Sequence, residues 1–200
     1  MQQAIDGFRA NIERVNALGD ISRAIDRQTT VVIDLTDLLR AQMVLSVSAL
    51  DYYIHEVVRI GMMESYLGTR TRTDQFRNWN LKIADVEASI LNPQTLDWLD
   101  EAVRREHGWR SFQSSENVAK AVRLIHPDPI WAAVAAQMGR SAADIRRQMD
   151  LVVDRRNKIA HEADMDPSYP GTRWPISSVV VEDATNFISG VVEAIHTVVC

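Results

Sequence analysis

Asp154-Arg155-Arg156-Asn157-Lys158-Ile159-Ala160-His161 is the stretch on which the reading of this chain turns. Ahead of it, Ser141-Ala142-Ala143-Asp144 reads as a capping box, a serine at the N-cap and an acid three residues on. Ile145, Met149, Val152, Val153 and Ile159 then recur at roughly helical spacing. The stretch therefore sits near the end of a helix, as Arg-x4-His counted from Arg156 or Arg-x5-His counted from Arg155. Arginine is a permanently charged, fork-shaped phosphate ligand. Histidine is the side chain whose ordinary pKa lies nearest neutrality. Brought together, the two hold a phosphate and move a proton.

The pattern alone also fits a solvated basic helix end. Its surroundings raise it above that. Arg140, Arg146, Arg147, Arg155, Arg156 and Lys158 face only Asp144, Asp150 and Asp154 across this segment, in a chain of formal charge −5. Glu162, Asp164 and Asp166 follow at once, so the basic patch is narrow. Elsewhere the eight glycines are scattered with no GxxxxGK or GxGxxG. There is no nucleophilic Ser or Cys motif. The Arg–His stretch is the candidate that carries chemistry.

Working outward, residues from about Val32 to Leu67 contain no proline and cover a wide apolar face, which predicts a long helix closed by Gly68. Asp51 and His55 share one face of it at i and i+4, with Glu56 one step round. They read either as a local ion pair or as groups that orient the Arg–His site. A first helix is expected over about Gln3 to Leu18, ended by Gly19-Asp20. Thr69 to Asn80 interleaves Arg70, Arg72 and Arg77 with Phe76 and Trp79. That composition suits single-stranded RNA, or a connector with buried aromatics. Shorter helices are expected over Leu81–Leu91, from Asn92-Pro93 to Glu106, from Ser114 or Ser115 to Ile125, and from Asp128-Pro129 to Met138. Glu162 to Ser177 is irregular and reads as a flap or a packed connector. A closing helix spans Val179 to Val199, with His196 expected at its surface. His107 and His126 sit at helix ends and are read as structural, without a metal site.

Arg156-Asn157-x-x-x-His161 near a helix end in an all-helical chain resembles the HEPN superfamily, whose mark is Arg-x4-6-His. Leu50 to Arg59, Ser111-Phe112-Gln113 leading into Asn117-Val118-Ala119, and Val153 to Asp164 extend the likeness. Together they are most similar to the RiboL-PSP-HEPN subgroup. The resemblance implies an all-α, HEPN-like helical bundle over residues 1–200, one domain with a long spine helix and a C-terminal motif-bearing helix. It implies a metal-independent endoribonuclease, cofactor-free, with Arg156, His161 and Asn157 catalytic. Arg155, Lys158, Asp51, His55 and Glu56 would support the site or bind RNA. Partners would be RNA, a second copy of the chain, and an antitoxin or phage-defence protein. Some members keep the fold without the activity, so a silent RNA- or nucleotide-binding dimerisation module is the alternative.

Bulk properties set the bounds. A hydrophobic fraction of 46% and a charged fraction of 24% are ordinary for a globular chain. The single cysteine, Cys200, leaves no internal disulfide. The N-terminal residues lack a secretory pattern and no apolar run is long enough to span a bilayer, so a cytoplasmic location without membrane contact is expected. An acidic balance argues against a general nucleic-acid coat but leaves room for a small basic cleft. One geometric constraint remains. Five residues of ideal helix turn about 140° beyond a full circle, so Arg156 and His161 point apart. Either the helix distorts between them, or the site is shared across a two-fold axis.

Overall fold

The computed structural model describes residues 1–28 and 33–200. The described residues form an all-α bundle without strands, apart from one isolated antiparallel bridge between Met165 and Arg173. The helices are α1 (Gln2–Gln28), α2 (Thr36–Leu67), α3 (Asp74–Arg77), α4 (Ile83–Leu91), α5 (Asp97–His107), α6 (Ser115–Val122), α7 (Ile130–Met138), α8 (Ala142–His161) and α9 (Ser178–Val199).

The spine is α2, which packs against α1, α9, α8, α5 and α6. Its buried residues Met43, Val47, Leu50, Ile54 and Val57 recur at three and four, so one stripe runs almost its whole length. Phe8 from α1, Leu99 from α5, Ile145 and Met149 from α8, and Val191 and Ile195 from α9 close on that stripe. Gly68 ends the helix at φ 79°, a left-handed position that favours glycine, as expected. Val32, the expected start, lies outside the described residues.

Several boundaries differ from the sequence reading, each for a local reason. Helix α1 runs through Gly19 to Gln28. Gly19 is there for close approach: a Cβ would sit 2.4 Å from Gln42 Nε2, whose amide donates to Val15 O. Asn92 caps the end of α4, and α5 begins only at Asp97. Pro129 is itself the N-cap of α7. In the 69–80 segment, Arg70 bonds Glu64 and Val199 O, while Arg72 donates to Ser65 O and Tyr66 O. Both arginines satisfy carbonyls at helix ends, and Phe76 and Trp79 pack partly against the core. The connector reading fits this segment. His196 is half-buried, its Nδ1 3.2 Å from the hydroxyl of the fully buried Tyr53, not at the surface.

Candidate active site

Helix α8 begins as the sequence indicates. Ser141 Oγ accepts the Asp144 N–H at 3.0 Å and donates to the Asp144 carboxylate. Ile145, Met149 and Val153 point into the core. On the same helix Asp150 accepts both the backbone N–H and the hydroxyl of Ser115, which fixes the start of α6. Much of the basic excess is engaged locally. Arg147 pairs with Asp144, Arg140 donates to Gln148, and Lys158 pairs with Asp154 at 2.8 Å. The Asp154 carboxylate holds the Lys158 ammonium above its ordinary pKa.

The adjacent arginines 155 and 156 have different surroundings. Arg155 is clamped by Asp164: Nη1 lies 2.6 Å from Oδ1 and Nη2 donates to Oδ2 at 2.9 Å. It also donates to Trp174 O and Pro175 O. Arg40, from the second turn of α2, donates to the same Oδ2 at 2.7 Å, to Thr36 Oγ1 and to Trp174 O. Asp164 is 1% exposed. The two guanidiniums and one carboxylate thus tie α2, α8 and the 162–177 connector together. Among the described residues Arg156 makes one side-chain hydrogen bond, Nη1 to Asn157 Oδ1 at 3.0 Å, and its shielded Nε–H has no acceptor. Of the two possible registers, Arg-x4-His is the one whose arginine keeps donors available.

How the chain reaches that clamp explains the connector. After His161, Ala163 and Asp164 both adopt left-handed backbone, φ 51° and 60°. For alanine this conformation costs about 1–2 kcal/mol. It folds the chain back so that Asp164 N–H donates to Lys158 O and its carboxylate lands on Arg155. The Trp174 N–H then donates to Asp164 O at 2.8 Å, and Arg173 reaches Asp34 and Asp37 beside the start of α2. The segment is a connector packed down by a buried carboxylate as well as by Trp174.

Helix α8 stays helical through His161, which is exposed in the last turn. Arg156 and His161 are therefore about 7.5 Å apart along the axis and turned about 140° from one another. Asp51, His55 and Glu56 are held elsewhere. Asp51 accepts the Phe112 N–H and lies 3.8 Å from His55 Nε2. Glu56 accepts from Arg59, which also reaches Asp100. These groups line a separate cleft of about 430 Å³ together with Tyr52, Arg104 and His107. Asp51 is eleven residues beyond Arg40, about 16 Å along α2. Within one chain the structure brings Arg156 to Asn157, while the α2 acids make polar contacts with Phe112, His55 and Arg59. Burial between Phe112 and Trp79 pushes His107 down to about 4. Among the described residues no group of three or more His, Cys, Asp or Glu side chains is placed to hold a metal ion.

An all-α bundle with a long spine helix and an Arg-Asn-x3-His ending on its penultimate long helix defines a HEPN-type protein. The RiboL-PSP-HEPN family matches residues 9–200, and the chain belongs to that family. No curated protein matches it, and no solved structure does. No helix among the described residues is long and apolar enough to cross a membrane.

Proposed function

We propose that residues 1–200 act as one HEPN domain, a metal-independent endoribonuclease that works as a homodimer. One observation carries this reading. Arg155 is fully engaged in holding the fold, whereas Arg156, beside it, keeps guanidinium donors available at a helix end shared with an exposed His161. A purely structural basic helix end has no need of that difference.

Because α8 does not distort between the two residues, one chain does not aim both at one phosphate. A two-fold axis beside the end of α8 removes the conflict, each chain offering Arg156 to the His161 of the other. His161 takes the proton of a ribose 2′-OH, and the oxygen attacks the adjacent phosphorus. The P–O5′ bond breaks, and the same imidazole, now protonated, returns that proton to the departing 5′ oxygen. Arg156 stabilises the charge that develops on the non-bridging oxygens, with Lys158 alongside. Asn157 holds the guanidinium of Arg156 in place. The products carry a 2′,3′-cyclic phosphate and a 5′-OH, and DNA is inert because it lacks the 2′-OH. Roles in toxin–antitoxin or phage-defence systems, with a neutralising or triggering partner, belong to the same reading.

The test is incubation of purified protein with mixed RNA and with DNA in EDTA. RNA cleavage with cyclic-phosphate ends, and intact DNA, is the expected result. RNA binding without cleavage makes the chain a silent binding module and overturns the proposal.

A further inference from the structure

Helix α4 is built inside out. Its buried residue is a carboxylate: Asp85 Oδ2 accepts from Arg105 Nη2 at 2.6 Å and from the Lys82 backbone N–H at 3.0 Å. Its large apolar residues face outward, while the small Ala88 packs against the core. Ile83 is 79% exposed, Ile90 71% and Leu91 77%, with Val86 and the preceding Leu81 also exposed. Ile83, Val86 and Ile90 are spaced i, i+3 and i+7, so they form one stripe, the pattern a helix uses to bury a face. The helix is tied to the rest of the bundle mainly through α5. Side chains of this size at these exposures leave roughly 500 Å² of contiguous apolar surface, near the top of what a monomer exposes without a purpose.

Glu87 lies within this stripe, four residues after Ile83, three before Ile90 and four before Leu91, and is exposed. It decides what can cover the face. A second copy of the chain, related by a two-fold through the middle of α4, would set Glu87 against Glu87 in an apolar contact. An anionic lipid surface would meet the same carboxylate. What fits is a short helical segment with an apolar stripe and a basic residue within it.

We infer that the outward face of α4 is a docking surface for a cationic amphipathic helix of another protein, its apolar stripe laid on Ile83, Val86, Ile90 and Leu91 and its Lys or Arg paired with Glu87. This surface is independent of the α8 site. Helix α5, which carries α4, is fastened to the C-terminal half of α2 by Arg59–Asp100, Arg104–Glu56 and the Tyr66–Trp98 ring pair. Arg40, at the clamp on Arg155, is nineteen residues before Arg59, about 28 Å along α2.

The experiment is selection of a displayed library of helical peptides, about four turns long, against the full chain, with counter-selection against an Ile83→Asp/Ile90→Asp variant. Both side chains are solvent-exposed, so the variant should keep the wild-type melting temperature and helical signal. Enriched peptides should share an i, i+3, i+7 apolar stripe with Lys or Arg at a fixed position. Their Kd, read by fluorescence anisotropy, should rise by roughly tenfold or more on the double variant, as for loss of central anchors. Glu87→Lys should discriminate against the same peptides and favour copies in which the basic residue is replaced by Glu. Three results overturn the inference: peptides that bind the variant equally well, self-association of the wild-type chain abolished by Ile83→Asp/Ile90→Asp, or binding of phosphatidylglycerol vesicles abolished by it.

Discussion

Replacing Asp164 by alanine should destabilise the protein more than any change in the exposed Arg–His stretch. The carboxylate lies between Arg40 and Arg155, whose side chains are 8% and 19% exposed. Removing one partner of a buried ion pair, which leaves charge without compensation, costs about 3–5 kcal/mol. Arg40 keeps Thr36 Oγ1 and Trp174 O, and Arg155 keeps Trp174 O and Pro175 O. Those remaining acceptors place the expected loss at the lower end, about 3 kcal/mol. For a chain of this length that lowers Tm by roughly 10 °C. Asp164→Asn, which keeps an oxygen but not the charge, should fall between the variant and wild type. Urea denaturation of the three proteins, with the slope checked for constancy, measures the difference directly. A loss of less than about 1 kcal/mol for Asp164→Ala, the level of an exposed pair, would refute the buried-clamp reasoning.

Arg156→Ala should abolish RNA cleavage while the urea midpoint stays near wild type. Arg155→Ala should instead lower the midpoint and leave activity per folded molecule largely intact. The reverse pattern, read by pairing a cleavage assay with denaturation, restores the Arg-x5-His register. Acid should destabilise the fold through His107. The unfolded chain takes up this proton near pH 6.5 and the folded chain only near pH 4. Stability therefore falls as pH drops through that window, by at most about 3 kcal/mol. His107→Leu should flatten the dependence, as its buried Nδ1 has no hydrogen-bond partner to lose, and parallel pH profiles for the two proteins would exclude His107 as the cause.

The long elements were readable because periodicity and caps agreed. Ser141 and Asp144 opened α8, and Gly68 closed α2. Glycine was ambiguous: Gly19 reads as a stop, yet it serves a contact with Gln42 that only the tertiary structure reveals. At the site, the resemblance pointed to Arg156, Asn157 and His161, while the spacing alone left Arg155 and Arg156 as alternative registers. The missing piece was Arg40. A signal for it did exist, since Arg40 lies in phase with the buried residues Met43, Val47, Leu50 and Ile54. An arginine in such a stripe requires a buried carboxylate. Asp164 read only as part of an acidic run after His161, because its position depends on two consecutive left-handed residues, the first an alanine that rarely adopts that conformation. The shared helical face of Asp51 and His55 was legible, but what lies opposite it was not. Of the two readings given to that face, the local pair is present, with the Phe112 N–H, far along the chain, donating to the same Asp51.

The central claim is that Arg156 of one chain and His161 of another act on the same phosphate, and mixing two inactive variants tests it most directly. Arg156→Ala and His161→Ala chains are combined in equal amounts, allowed to exchange subunits, and assayed on RNA in EDTA beside each variant alone. Half the dimers should then be mixed, each carrying one whole Arg–His pair of two, which predicts about a quarter of wild-type activity. Neither variant alone should cleave. A mixture as inactive as its components, under conditions where exchange is verified and wild type cleaves, contradicts the shared cleft.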